Sequence, residues 1–279
     1  MVNIESLKFG YRKGHYLFDD LNLKLRPGCV YGLFGVNGAG KTTLIRHIAG
    51  LLFPTLGRVT ICDRESKRRD VETMRELFII PEEFWLPSVS MKKHVAIHKE
   101  FYPSFDLDMF NKIIGEFEIS EQTNLEHLSY GQKKKFMIAF GIASNCRLLL
   151  MDEPTNGLDI PSKSQFRKIM ASYINEERCV LISTHQVRDL SSIIDHVIIL
   201  DRGTIRFAES TETIMNSFGF GILSSPEDAN FIYGEKVFGG MAGMFANKGK
   251  DTEIDYEILF NAVISDHANV MNNIQRRSL

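Results

Sequence analysis

Gly35, Gly40, Lys41 and Thr42 stand at the spacing G-x-x-x-x-G-K-[ST], with a third glycine, Gly38, inside the loop. Glycines let a backbone wrap an anion with its N–H groups turned inward, where a side chain would block the approach. The strand-like run "VYGLF" enters this loop and the helical run "TTLIRHIAG" leaves it, so a helix N-terminus adds partial positive charge at the same place. In such a loop the lysine reaches the β- and γ-phosphates of a nucleotide and the hydroxyl ligates Mg²⁺. Those are the roles expected of Lys41 and Thr42. The loop implies a nucleotide and says nothing of what its hydrolysis drives.

Two further stretches carry chemistry. Asp152 and Glu153 end the apolar run "LLLM", where open α/β sheets place their ligands. There Asp152 suits Mg²⁺ or its water shell, and Glu153 suits a general base that deprotonates an attacking water. In "LSYGQKKKF", Ser129 and Gln132 form an S-x-x-Q capping box, and Phe136, Ile138, Ala139 and Ile142 continue as a helix. Ser129 and Gly131 therefore stand at a helix N-terminus with free N–H groups, a second anion site. The plainer alternative is a well-capped helix whose lysines are a solvated face.

The elements that must position these residues read as alternating strands and helices. "LKFGY", "CVYGLFG", "RVTIC", "LFIIP", "LLLMDEP", "CVLISTH" and "HVIILDRG" are strand runs, several continuously apolar as in strands covered on both faces. Phe166, Ile169, Met170, Tyr173 and Ile174 make one helical stripe between two of them. The expected class is α/β with a mainly parallel sheet. Residues 86–127 depart from the alternation with two helices, around "SMKKHVAIHKEFY" and "DLDMFNKIIGEFEI". The second carries Leu107, Phe110, Ile114 and Phe117 on one face and Asp106 as N-cap. After Gly203 come glycine-rich, aromatic segments, "SFGFGILSS" and "KVFGGMAGMFANKGK", then one helix over "DYEILFNAVISDHANVM".

Composition narrows the partners. With 279 residues, 44% hydrophobic and 24% charged, and a formal net charge of −2, the chain reads as one large soluble unit without a global bias toward nucleic acid. Cys29, Cys62, Cys146 and Cys179 form no CxxC pair, so neither a disulfide framework nor a zinc site is suggested and a reducing cytoplasm fits. No secretion signal is read at the amino terminus, and no run nears the roughly 18 apolar residues that span a bilayer. A membrane role would need a separate subunit.

"GVNGAGKTT", "LSYGQ", "LLLMDEP", "NGLD" and "STH" occur in the order and approximate spacing of the nucleotide-binding subunit of ABC transporters, a resemblance covering residues 2 to 208 or so. It implies the ABC type of P-loop fold, with an antiparallel β segment at the N-terminus. The core would be residues 1–85 and 128–208. A helical subdomain over 86–127 would have the signature at its end, and residues 209–279 would be a small accessory domain. It implies ATP and Mg²⁺ as ligands, with Gly35, Asn37, Gly38, Ala39, Gly40, Lys41, Thr42 and Thr43 around the phosphates and Tyr11 stacked on adenine. Ser129, Gly131 and Gln132 would act on the nucleotide of a second subunit in a head-to-tail dimer, and Asp159 would communicate across it. His185 would contact the γ-phosphate. Thr42, Asp152 and Glu82 would serve the metal.

Two positions depart from the pattern: Tyr130 stands where glycine is commonest, and Glu82 where glutamine is usual, with Glu83 beside it leaving the register uncertain by one. "FYPSF", the "LSYGQKKK" form and "EIDYEILFNAV" look most like ATPases of bacterial exporters of the ABC-2 or antibiotic-resistance type. The expected function is an ATPase that drives a membrane permease, as a homodimer or heterodimer held at the inner face of the membrane through that permease. A soluble ABC ATPase acting in assembly of a cofactor or complex is the alternative. His94 and His98 and "KRRD" at 67–70 are read as structural or surface features rather than as sites, while Trp85, after the Glu82 loop, could equally face a partner or pack in the ordinary way.

Overall fold

A computed structural model describes residues 1–120, 123–223, 231–238, 240–247, 249 and 252–275. Its strands are β1 (Val2–Phe9), β2 (Phe18–Leu25), β3 (Val30–Phe34), β4 (Leu56–Ile61), β5 (Arg64–Glu65), β6 (Leu77–Ile80), β7 (Leu148–Asp152), β8 (Cys179–Thr184), β9 (His196–Asp201), β10 (Thr204–Ser210), β11 (Phe218–Leu223), β12 (Phe231–Val237) and β13 (Gly240–Ala246). The helices are α1 (Lys41–Ile48), α2 (Val71–Arg75), α3 (Met91–His98), α4 (Leu107–Glu116), α5 (Tyr130–Ala143), α6 (Ile160–Tyr173), α7 (Thr211–Ser217), α8 (Tyr256–Ser265) and α9 (His267–Gln275).

The central sheet has the order β10-β9-β3-β8-β7-β6, parallel from β9 to β6 with β10 antiparallel on the edge. Strands β3, β7 and β8 are buried along their whole length. Alternation then divides their side chains between two cores. Leu33, Leu150 and Leu181 join the core beneath α1 and the first sheet. Phe34, Met151 and Ile182 join the core shared with α4, α5, α6 and α8. The continuous apolar runs in the sequence reflect this cover on both faces.

The first sheet, β2-β1-β4-β5, is antiparallel. Strand β2 had no apolar run to announce it: Phe18, Leu21, Leu23 and Leu25 turn inward while Asp19, Asp20, Asn22 and Lys24 face out. Asp20, in the left-handed region at φ 66°, and register shifts against β1 break the simple period of two.

Helix α4 starts where Asp106 accepts from the Met109 amide at 2.8 Å, the expected cap. Phe110, Ile114 and Phe117 are buried, whereas Leu107, in the first turn, is 44% exposed. Helix α6 ends one residue before the expected stripe does, because Ile174 turns extended at ψ 130°.

The carboxyl-terminal third differs more from expectation. Its glycine-rich segments are strands of a third sheet, β11-β13-β12, all antiparallel. Gly219 suits this sheet because a Cβ there would come 2.3 Å from the ring of Phe245, its cross-strand partner. Ser224, Ser225, Gly239, Lys248 and Lys250 of those segments lie outside the described residues. The expected single terminal helix is two: Asp266 leaves helical geometry at φ −144°, ψ 64° and its carboxylate caps α9 through the Asn269 amide at 3.2 Å.

Candidate nucleotide site

The phosphate loop joins β3 to α1. Gly38 at φ 82° and Gly40 at φ 112° occupy backbone space that strains other residues, and Gly40 is the N-cap of α1. At Gly35 the requirement is close approach, since a Cβ would meet the Leu200 carbonyl oxygen at 2.5 Å. Inside the loop the Lys41 ammonium donates to the Gly35 carbonyl at 2.8 Å and stands 3.6 Å from Glu153 Oε1.

Glu153 is held from both sides. Its amide donates to the Ser183 carbonyl at 3.0 Å, and its Oε1 pairs with His185 Nδ1 at 2.9 Å. Its backbone sits at φ 47°, a left-handed conformation that a non-glycine residue adopts at a cost and that clusters at functional sites. Asp152, one residue back, turns into the sheet: it is 2% exposed and its Oδ1 accepts from the Ser183 hydroxyl at 2.5 Å. So adjacency in sequence puts the two acids in different surroundings, one beside the loop and one beneath it.

These groups meet at a cleft of 950 Å³. Asn37, Gly38, Gly40, Lys41, Thr42 and Thr43 line its floor, Glu82, Glu153 and His185 one wall, and Tyr11 its mouth. Tyr11 is 63% exposed, packs edge-on against Phe9 at 5.0 Å and shares a 3.0 Å hydrogen bond with the Thr43 hydroxyl. Gly35, Ala39 and Asp152 do not line the cleft. Of the two acids after β6, Glu82 lines the cleft and accepts from Asn156 Nδ2 at 3.2 Å, while Glu83 is exposed. Thr42 and Glu82 are hard oxygen donors, which suits Mg²⁺ held jointly with phosphate oxygens and water. Among the described residues no three His, Cys, Asp or Glu side chains converge to hold a metal on their own.

The signature lies elsewhere. Ser129 Oγ accepts from the Gln132 amide at 3.2 Å and Gln132 Oε1 accepts from the Ser129 amide at 2.9 Å, completing the capping box of α5. None of Ser129, Gly131 and Gln132 lines the cleft. Ser129 and Gln132 face solvent. Asp159 is exposed and caps α6 through the Ser162 amide at 2.9 Å; hydrogen bonding from the Ser162 side chain first, and then from that amide, holds its carboxyl below the usual range. The loop before it packs on the signature, because a Cβ on Gly131 would meet the Gly157 carbonyl at 3.0 Å.

Six further residues line the cleft: Val36 and Asn156, which lie inside motifs, and Arg12, His15, Tyr16 and Leu17, which follow Tyr11 and carry no motif. Sequence reasoning passed over these six, and over the support given by Ser183 and Asn156, although both lie in quoted motifs, "STH" and "NGLD". The residues set aside are accounted for. His94 stacks on His98 at 3.9 Å, and Arg69 of "KRRD" donates to the Gly50 carbonyl at 3.1 Å. Trp85 is 80% exposed.

A family model described as ABC transporter matches residues 18–156. The lantibiotic transport ATP-binding protein SrtF of Streptococcus pyogenes is 30% identical over 207 residues, 74% of this chain and 89% of that one. The ABC transporter ATP-binding protein YtrB of Bacillus subtilis is 26% identical over 193 residues; the match takes in 69% of this chain and 66% of that relative's length. Among solved structures, a dimeric bacterial ABC transporter cassette superposes with a TM-score of 0.66 at 21% identity, over 75% of this chain and 98% of that one.

Proposed function

The chain belongs to the ABC transporter family of ATP-binding, ATP-hydrolysing proteins, and from that premise we propose that it closes head to tail with a second ATPase subunit around two Mg-ATP and drives a separate membrane permease. The observation that carries this is the convergence of Lys41, Glu153 and His185 at one cleft while the Ser129 helix N-terminus faces solvent away from it. A second subunit's Ser129, Gly131 and Gln132 complete the phosphate site, with Asp159 close to the joint. Glu153 takes the proton of the attacking water, and His185 orients Glu153 and contacts the γ-phosphate. Lys41 and the loop amides hold the phosphates, and Tyr11 stacks on the adenine. Thr42 and Glu82 would hold Mg²⁺, with Asp152 serving it from behind, and the metal would offset phosphate charge.

Residues 1–85 and 128–208 serve as the ATPase core, 86–127 as the helical subdomain and 209–279 as an accessory domain. Among the described residues no helix is long and apolar enough to cross a membrane. Attachment to the inner face of the membrane therefore runs through the permease. Export is the direction favoured, since a relative 28% identical to this chain, SkfE of Bacillus subtilis, is named for peptide export.

Glu153→Gln tests the reading. It keeps volume and removes basicity, so hydrolysis should slow by about 10²–10⁴-fold while ATP stays bound. The variant should sediment as a dimer in Mg-ATP, and adding Ser129→Arg should abolish that dimer. Hydrolysis at the parent rate, or the same dimer in ADP, would overturn the mechanism.

A further inference from the structure

The loop after β6 and the first turns of α5 are tied together at one atom. The Glu82 carbonyl oxygen accepts from the Tyr130 hydroxyl at 2.5 Å and from the Lys134 ammonium at 2.9 Å. Lys134 also donates to the Pro81 carbonyl at 3.3 Å. Tyr130 and Lys134 are four residues apart, so α5 presents both on one face. Above them the ring of Phe84 stacks on that of Tyr130 at 6.2 Å, and the ammonium lies 5.4 Å and 5.6 Å from the two ring centres.

Lys134 is fully buried. A buried ammonium is costly unless its donors are used, and here they are spent on two backbone carbonyls and two aromatic faces. Among the described residues no carboxylate pairs with it directly; Glu82, Asp152 and Glu153 act on it through their field. The same residue whose carbonyl is gripped by α5 has its carboxylate gripped on the cleft side by Asn156. Glu82 is thus fixed at both ends.

We propose that Tyr130 and Lys134 are positioning residues for hydrolysis: from the signature helix of the same subunit they clamp the Glu82 backbone and so set where its carboxylate stands in the cleft. The inference rests on the reading of Glu82 as a residue that faces the γ-phosphate and its metal. A glycine at position 130 has no hydroxyl, so this clamp belongs to this chain's departure from the commonest signature. It makes the Glu82 loop and the N-terminus of α5 one rigid piece, so neither moves without the other.

The test compares Tyr130→Phe and Lys134→Met in the parent and in Glu82→Ala, with kcat and ATP affinity measured on the purified chain. Small displacements of a reacting group cost up to about 10²-fold, so Lys134→Met should lower kcat by about tenfold or more with ATP affinity within about twofold. Tyr130→Phe removes one hydrogen bond and should cost about threefold. In Glu82→Ala, where no carboxylate is left to place, both losses should shrink to within about twofold. A merely structural role would give equal losses in both backgrounds, and that result would overturn the clamp. Should Lys134→Met fail to fold, Tyr130→Phe decides alone: an unchanged kcat, or a loss repeated in Glu82→Ala, overturns it. Full activity of Glu153→Gln would instead remove the functional reading, whereas an inactive Glu153→Gln beside equal losses removes only the clamp.

Discussion

His185 Nδ1 and Glu153 Oε1 stand 2.9 Å apart, and the same carboxylate oxygen lies 3.6 Å from the Lys41 ammonium. Glu153 is thereby held between the phosphate loop and β8, which ends at Thr184. The His185 amide also approaches Glu153 Oε2 at 3.4 Å, so the residue after β8 engages both oxygens. His185→Ala should therefore lower kcat by about 10²–10³-fold, the usual cost of losing one group aimed at the transition state, with little change in ATP affinity. Rapid-quench hydrolysis beside equilibrium ATP binding separates the two. A matching loss in both would move His185 from chemistry to binding.

Glu82 places a carboxylate on the wall of the cleft. As the proposed metal ligand it would repel the γ-phosphate when no divalent ion is bound and would hold the ion when one is. In excess EDTA, Glu82→Gln should bind ATP about threefold to tenfold more tightly than the parent, and the gap between Mg-ATP and metal-free ATP should narrow. Calorimetric titrations with and without Mg²⁺ would show it, and equal metal-free affinities would place Glu82 beyond reach of the phosphate.

Much of this site was legible because its chemistry is local in sequence. The phosphate loop needs three glycines and a lysine within eight residues, and the acids need only the end of a buried strand. The capping box of α5 announced itself by Ser129 and Gln132. What stayed hidden depends on contacts distant in the chain. Lys134 reads as one of three solvated lysines, yet it is buried because the Glu82 loop, 52 residues away, folds over it. Strand β2 hid because its bulged register against β1 spoils the alternation. In the third sheet, Gly219, Gly221, Gly234 and Gly243 mask the strand pattern, since glycine weakens a strand unless a neighbour such as Phe245 needs its space.

Tyr11 offers its ring at the mouth of the cleft and its hydroxyl to Thr43. If the ring stacks on the base, Tyr11→Ala should weaken ATP binding by about 1–3 kcal/mol, the range for one aromatic–base stack. Tyr11→Phe should stay within about threefold of the parent, since the bond it loses is half exposed. Competition between ATP and inorganic triphosphate adds a check. Triphosphate has no base to stack, so its affinity should not respond to Tyr11→Ala.

Acid should destabilise the helical region through His94. Its ring is buried among His98, Phe136 and Phe140, and its Nδ1 has no hydrogen-bond partner. Burial first, and then the charge of His98, push its pKa down to about 4 from an ordinary 6.5. The unfolded chain takes up a proton near pH 6.5 that the native ring refuses, so stability is full above that pH and falls as pH drops toward 4. At 1.36 kcal/mol per pH unit, moving from pH 6.5 to 5 costs about 2 kcal/mol from this group. His94→Gln cannot titrate, so its urea stability should fall by about 2 kcal/mol less than the parent's between pH 7 and 5, whatever the substitution costs at pH 7. Parallel stability curves for the two proteins would assign the acid sensitivity to other groups.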